Sequence, residues 1–170
     1  MKKLLAVVCM LACLSSVSFA KASKAGSGEE KLGLGYNAQN GLNAISMRYW
    51  QKGDWGVEGM VGYNNTYDNN VQTLIGGKFL KPIKTEENLT VYGFGSLALL
   101  TVSAGGTSNN GTVLSGGLGV EFFFAGLPNL GFGAELGLTD IEGNCFPIGT
   151  KGYALTSSFL QSVGVRYYFK

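Results

Sequence analysis

Eight stretches of this chain alternate apolar and polar residues with a period near two. They run from Lys31 to Tyr36, Leu42 to Gln51, Trp55 to Tyr63, Val71 to Leu80, Leu89 to Val102, Thr112 to Phe124, Leu130 to Thr139, and about Leu155 to Phe169. A strand sends successive side chains to opposite faces, so this period predicts β-strands with one apolar and one polar face. Segments rich in Gly, Asn, Asp and Pro separate them and predict turns. Lys52-Gly53-Asp54 and Ala125 to Asn129 are short, whereas Asn64 to Asn70, Ser103 to Gly111 and Asp140 to Ala154 are longer and polar. Two connections break the alternation: Lys81 to Asn88 is long, and Asn37 to Gly41 is short. An even number of strands joined by alternating short and long connections fits an up-and-down barrel with short turns at one end.

Parity fixes which face is which. Three turn residues centred on Gly53 pair Gln51 with Trp55, Tyr49 with Val57, Met47 with Gly59 and Ile45 with Val61, giving one apolar face. The same register places Arg48 opposite Glu58 on the other face, and a slip by one residue would exchange the faces. Phe122 with Phe132 and Leu118 with Leu136 share the apolar face, while Glu121 and Glu135 fall on the polar one. Tyr49, Trp55, Phe79, Phe122, Phe124, Tyr167 and Phe169 share the apolar face near one set of strand ends, and Tyr36, Tyr63 and Phe159 lie near the other. Aromatic girdles of this kind mark the two interfaces of a membrane barrel. Leu160 and Gln161 have the wrong polarity for the parity of Val163 to Phe169, which predicts a bulge there or a strand end above the membrane.

The last segment carries a more specific pattern. From Ser162 to Phe169 one face reads Val163, Val165, Tyr167, Phe169 and the other Ser162, Gly164, Arg166, Tyr168. It resembles the C-terminal assembly signal of bacterial outer-membrane β-barrels: polar, any, Gly, any, any, hydrophobic, any, hydrophobic. Ser162, Gly164, Tyr167 and Phe169 fill its slots, and Lys170 after the aromatic departs from it. Over its whole length the chain is similar to the small OmpA/OmpX/OmpW-like group. The resemblance implies an eight-stranded antiparallel up-and-down transmembrane barrel in the cell outer membrane. It also implies insertion by the β-barrel assembly machinery among lipid and lipopolysaccharide, and a non-enzymatic structural, adhesion or surface-recognition role through an extracellular ligand. A narrow channel for small solutes and a soluble lipocalin-like barrel are the alternatives.

The chain begins Met1-Lys2-Lys3, followed by an apolar run from Leu4 to Leu14 and small residues at Ser18 and Ala20. This predicts a signal peptide over residues 1–20, with cleavage after Ala22 as the alternative. Residues 21–30 read as a flexible tail and 31–170 as the barrel, with no peptidoglycan-binding domain expected after it. A lipoprotein reading at Cys13 is weakly supported, since Met10 is a poor first residue for that motif.

Composition narrows the chemistry. The chain has 13 basic and 11 acidic residues; losing Lys2 and Lys3 would leave 11 of each, so no nucleic-acid partner is expected. His is absent, which removes the commonest metal ligand and general base, and neither a cofactor nor a metal is expected. Loss of Cys9 and Cys13 leaves Cys145 alone, so no internal disulfide forms. Gly93-Phe94-Gly95-Ser96-Leu97-Ala98 matches a dinucleotide fingerprint superficially, but a strand-like run follows it where that motif needs a helix.

The inward face carries Arg48, Lys78 and Arg166 against Glu58, Glu121 and Glu135. Buried charges are paired when they occur. This predicts a salt-bridged lumen, with a polar pathway or small-ligand site as the alternative and no catalysis by Glu121 and Glu135. Gly56, Gly62, Gly76, Gly117, Gly119, Gly131, Gly133 and Gly164 are expected inward, leaving room for the long side chains.

Overall fold

The computed structural model describes residues 30–39, 42–52, 54–66, 70–143, 152–156 and 162–169. The expected signal peptide (residues 1–20), residues 21–29 of the expected tail, Gly53, Cys145, Phe159, Leu160, Gln161 and Lys170 lie outside them.

The strands are β1 (Lys31–Gln39), β2 (Leu42–Gln51), β3 (Trp55–Thr66), β4 (Asn70–Glu86), β5 (Leu89–Ala104), β6 (Thr107–Phe124), β7 (Leu127–Gly143), β8 (Gly152–Thr156) and β9 (Ser162–Phe169). Every pairing is antiparallel, each of β1 to β7 pairs with its successor, and β9 pairs with both β7 and β1. The result is a closed eight-stranded barrel whose eighth stave is divided. β8 pairs with β7 at the outer end and β9 at the inner end. Where β9 bridges β7 and β1, closure removes the sheet edges that an open sheet would leave unpaired.

The registers fix the shear. Phe122 pairs with Phe132, Phe132 with Val165, Val165 with Tyr36, and the walk continues through Ile45, Val61, Ile75 and Leu99 to Thr112. One circuit therefore returns to β6 ten residues from its start. Such stagger belongs to strands tilted by about 35–45° from the barrel axis. Every residue of that spiral except Thr112 is apolar, and all face outward.

The hairpin register expected for β2 and β3 is the one observed, Arg48 opposite Glu58 included. Several connections are shorter than the sequence suggests. Ser103 to Gly111 is no long loop, because β5 and β6 run to a two-residue turn at Gly105-Gly106 with φ of 55° and 82°. Positive φ at both central positions is the turn whose twist matches a hairpin, and glycine adopts it without strain. Lys81 to Asn88 is mostly strand, with a register shift between Pro82 and Lys84 and a turn at Glu87-Asn88. The β6–β7 turn occupies only Ala125-Gly126. The connections at the inner end are thus uniformly tight, which removes one of the two exceptions in the sequence pattern.

Among the described residues, twenty-four large hydrophobic side chains are exposed, from 37% at Val165 to 65% at Leu99. They encircle the barrel at mid-height, where a soluble protein exposes patches of only a few hundred Å². Tyr49, Trp55 and Phe79 adjoin one another on this surface, as do Phe122, Phe124 and Phe132, and Tyr167 and Phe169.

Candidate functional site

The lumen is filled in three layers. Leu42, Met60, Leu74, Ala98 and Val113 form an apolar layer toward the outer end, backed by Leu100 and Ile141. Trp50, Leu80, Tyr92, Phe94 and Tyr168 form a second toward the inner end, with Phe123 against it. The charges lie between. The inward face is therefore less uniformly polar than the charge pattern suggests, because parity also turns Leu74, Leu80 and Phe94 inward.

All six predicted charges converge in this middle layer, each 1–3% exposed. Arg48 donates through Nη2 and Nε to Glu58 Oε2 at 2.6 and 3.0 Å. It makes longer contacts of 3.4 Å to both Glu121 and Glu135. Arg166, on the closing strand, reaches across to Glu58 Oε1 at 2.6 Å and to Glu121 Oε1 at 2.8 Å. Lys78 is the direct cross-strand neighbour of Glu58, yet its ammonium bonds Glu135 on the opposite wall. Each carboxylate thus meets two cations, and three positive charges balance three negative ones. Such neutrality is what makes buried charge tolerable in a low-dielectric interior.

Neutral groups complete the network, and the charge pattern alone did not reveal them. The Asn37 amide donates to Ser46 Oγ at 2.9 Å and to Glu58 Oε1 at 2.8 Å, and its oxygen accepts from Arg166. Tyr92 donates to Glu135 at 3.0 Å and Tyr168 to Glu121 at 2.8 Å. Trp50 Nε1 donates to the Tyr168 hydroxyl at 3.2 Å. The guanidinium of Arg48 lies 5.0 Å from the Tyr92 ring centre, and the Lys78 ammonium 5.0 Å from that of Phe94. Among the described buried side-chain atoms, Arg166 Nε alone lacks a hydrogen-bond partner. The parity of β1, β2, β5 and β9 places these side chains inward, but only barrel closure brings them together.

Glycines make room for part of this packing. A Cβ at Gly119 would collide with the Tyr92 ring, one at Gly56 would stand 2.6 Å from Trp50, and one at Gly164 would collide with the Asn37 amide oxygen. Gly33, absent from the expected set, also makes room: a Cβ there would stand 2.8 Å from both Arg166 and Tyr168. Gly62 and Gly76 instead face Ala44, Leu74 and Ala98, so they serve the apolar layer and not the long charged side chains. Gly117 approaches the backbone of β7.

This arrangement leaves little chemistry free. Glu121 and Glu135 are each held by two cations and a tyrosine hydroxyl, so neither presents a carboxylate to a substrate. Among the described residues no group of acidic or Cys side chains is placed to hold a metal. The Gly93 to Ala98 stretch is continuous strand within β5. In β9, Ser162 points inward and is buried, while Tyr167 and Phe169 point outward with ring centres 5.4 Å apart.

No family model and no curated protein matches the chain. It is similar to the crystal structure of Ail, the attachment invasion locus protein of Yersinia pestis, at 15% identity and a TM-score of 0.41, with 82% of this chain and 98% of that chain covered.

Proposed function

We propose that this protein is a small, non-enzymatic outer-membrane β-barrel of the OmpA/OmpX/OmpW-like kind, exported by its signal peptide and acting in surface recognition or envelope structure. One observation carries the reading: the barrel is apolar outside and charged inside. The exposed belt would be costly in water and favourable in lipid, whereas a lipocalin-like barrel needs its apolar face inward. Ser162, Gly164, Tyr167 and Phe169 would serve as the signal read by the assembly machinery, and the belt would meet lipid and lipopolysaccharide.

The filled lumen opposes the channel alternative. A solute would have to displace both apolar layers and break the ion-pair network. Recognition then falls to the outer ends of β3 to β7, which continue past the belt as polar strand. There Thr101 donates to Asn110 at 3.0 Å, and the Ser103 and Ser108 hydroxyls lie 2.7 Å apart, so side-chain bonds tie the β5–β6 tip across its strands. Separation of inner and outer membranes, with heat-modifiable gel mobility of the outer fraction, tests the assignment. Recovery as a soluble periplasmic or secreted protein would refute it.

A further inference from the structure

We infer that the outward surface of β4, β5 and β6 holds an anionic phospholipid of the inner leaflet, with its phosphate on Lys81. The inference rests on the membrane reading above and concerns the lipid side of the inner rim, away from the outer strand ends. Parity turns Phe79 and Lys81 outward on β4, since Lys78 and Leu80 are buried in the lumen. Leu80 pairs with Gly56, so Lys81 stands one strand along from Trp55 of the inner aromatic girdle. At a strand tilt of about 35–45°, each step from β3 toward β5 climbs about 3 Å toward the outer end. The Lys81 backbone therefore lies nearer mid-height than that of Trp55. Its side chain turns back, and Nζ donates to the Asp54 backbone carbonyl at 2.8 Å, beside the β2–β3 turn. A lysine whose stem lies on an apolar surface carries its charge to the interface in this way. Among the described residues that ammonium forms no ion pair, whereas Lys84, further along β4, pairs with Glu86. Lys81 thus keeps two N–H donors and a whole positive charge for a lipid phosphate.

The surface above Lys81 fits the rest of such a lipid. Gly93 pairs with Lys81 and with Leu118, and Gly95 pairs with Phe79 and with Gly116. Gly93, Gly95 and Gly116 therefore leave no side chain between Phe79 and Leu118, which are 53% and 55% exposed. A Cβ at Gly95 would meet nothing within 4 Å. Trp55 stacks on Phe79 with ring centres 6.4 Å apart and backs that wall of the lane. The lane leads from Lys81 toward mid-height, so a phosphate on the ammonium lays one acyl chain between Phe79 and Leu118. Charge selects the headgroup and the lane holds the chain.

Electron paramagnetic resonance of spin-labelled lipids reads the site, with the barrel inserted in phosphatidylcholine vesicles. Spin-labelled phosphatidylglycerol should associate with the protein about three- to five-fold more strongly than spin-labelled phosphatidylcholine. Lys81→Gln should abolish that preference, Lys81→Arg should keep it, and Lys84→Gln should leave it unchanged. Gly95→Leu, which alters no charge, should reduce it by filling the lane. Equal association of the two lipids with the wild-type barrel, a preference that survives Lys81→Gln, or an equal loss in Lys84→Gln would overturn the inference. So would an unchanged preference in Gly95→Leu, since a diffuse charge effect would then suffice. Heat-modifiable mobility of each sample separates two failures. An inserted barrel without the preference refutes the phospholipid site alone, whereas a wild-type chain that does not insert refutes the membrane reading and the site with it.

Discussion

Lys78 offers the sharpest test of the lumen. Its cross-strand neighbour is Glu58, but its ammonium bonds Glu135, 57 residues away. Glu135 also accepts from Tyr92 and Arg48, whereas among the described residues Lys78 forms an ion pair with Glu135 alone and also lies over the Phe94 ring. The two single substitutions should therefore differ. Glu135→Gln strands a cation that is 3% exposed, and breaking a buried pair in this way costs about 3–5 kcal/mol. Lys78→Met leaves Glu135 with two donors and should cost about 2 kcal/mol less. Removing both restores neutrality, so the double variant should recover much of the larger loss, with a coupling of about 2–3 kcal/mol. Urea unfolding in lipid vesicles gives the free energies, followed by fluorescence of lumenal Trp50. The reasoning is refuted if the losses add, or if Lys78 couples as strongly to Glu58 as to Glu135.

Arg48→Met and Glu58→Gln should each lower stability, the double variant should recover part of the loss, and planar-bilayer conductance should stay near zero in all three; a discrete rise would favour a gated pore. Val120 and Leu136 are 41% and 42% exposed on the belt, and Arg at either should cost about 2–4 kcal/mol if it lies near the bilayer midplane. Nitroxide labels at Val120 and Gly119 check the faces; lipid contact at Gly119 and protein contact at Val120 would invert the barrel. Phe169→Ser should leave unfolded protein in the periplasm, and wild-type levels of heat-modifiable barrel would count against the assembly-signal reading.

The alternation of side chains was enough to set the strands, their faces and the β2–β3 register, because each depends on residues close in sequence. Arg48 faces Glu58 in any hairpin that turns at Lys52 to Asp54. The six inward charges were legible for the same reason. Sequence misjudged the ends of strands, where the polar segment from Ser103 to Gly111 reads as loop. Above the belt neither face is apolar, so alternation fades although the strand continues; Gly105-Gly106 was the signal that a tight turn sits there. Partners across the lumen depended on closure. The ten-residue stagger decides which heights on opposite walls meet, and it sends Lys78 to Glu135 and Arg166 to Glu58 and Glu121. The contributions of Asn37, Ser46, Tyr92 and Tyr168 arise in the same way: parity turns each inward, but only β9 docking against β1 and β7 brings their polar atoms to the charges.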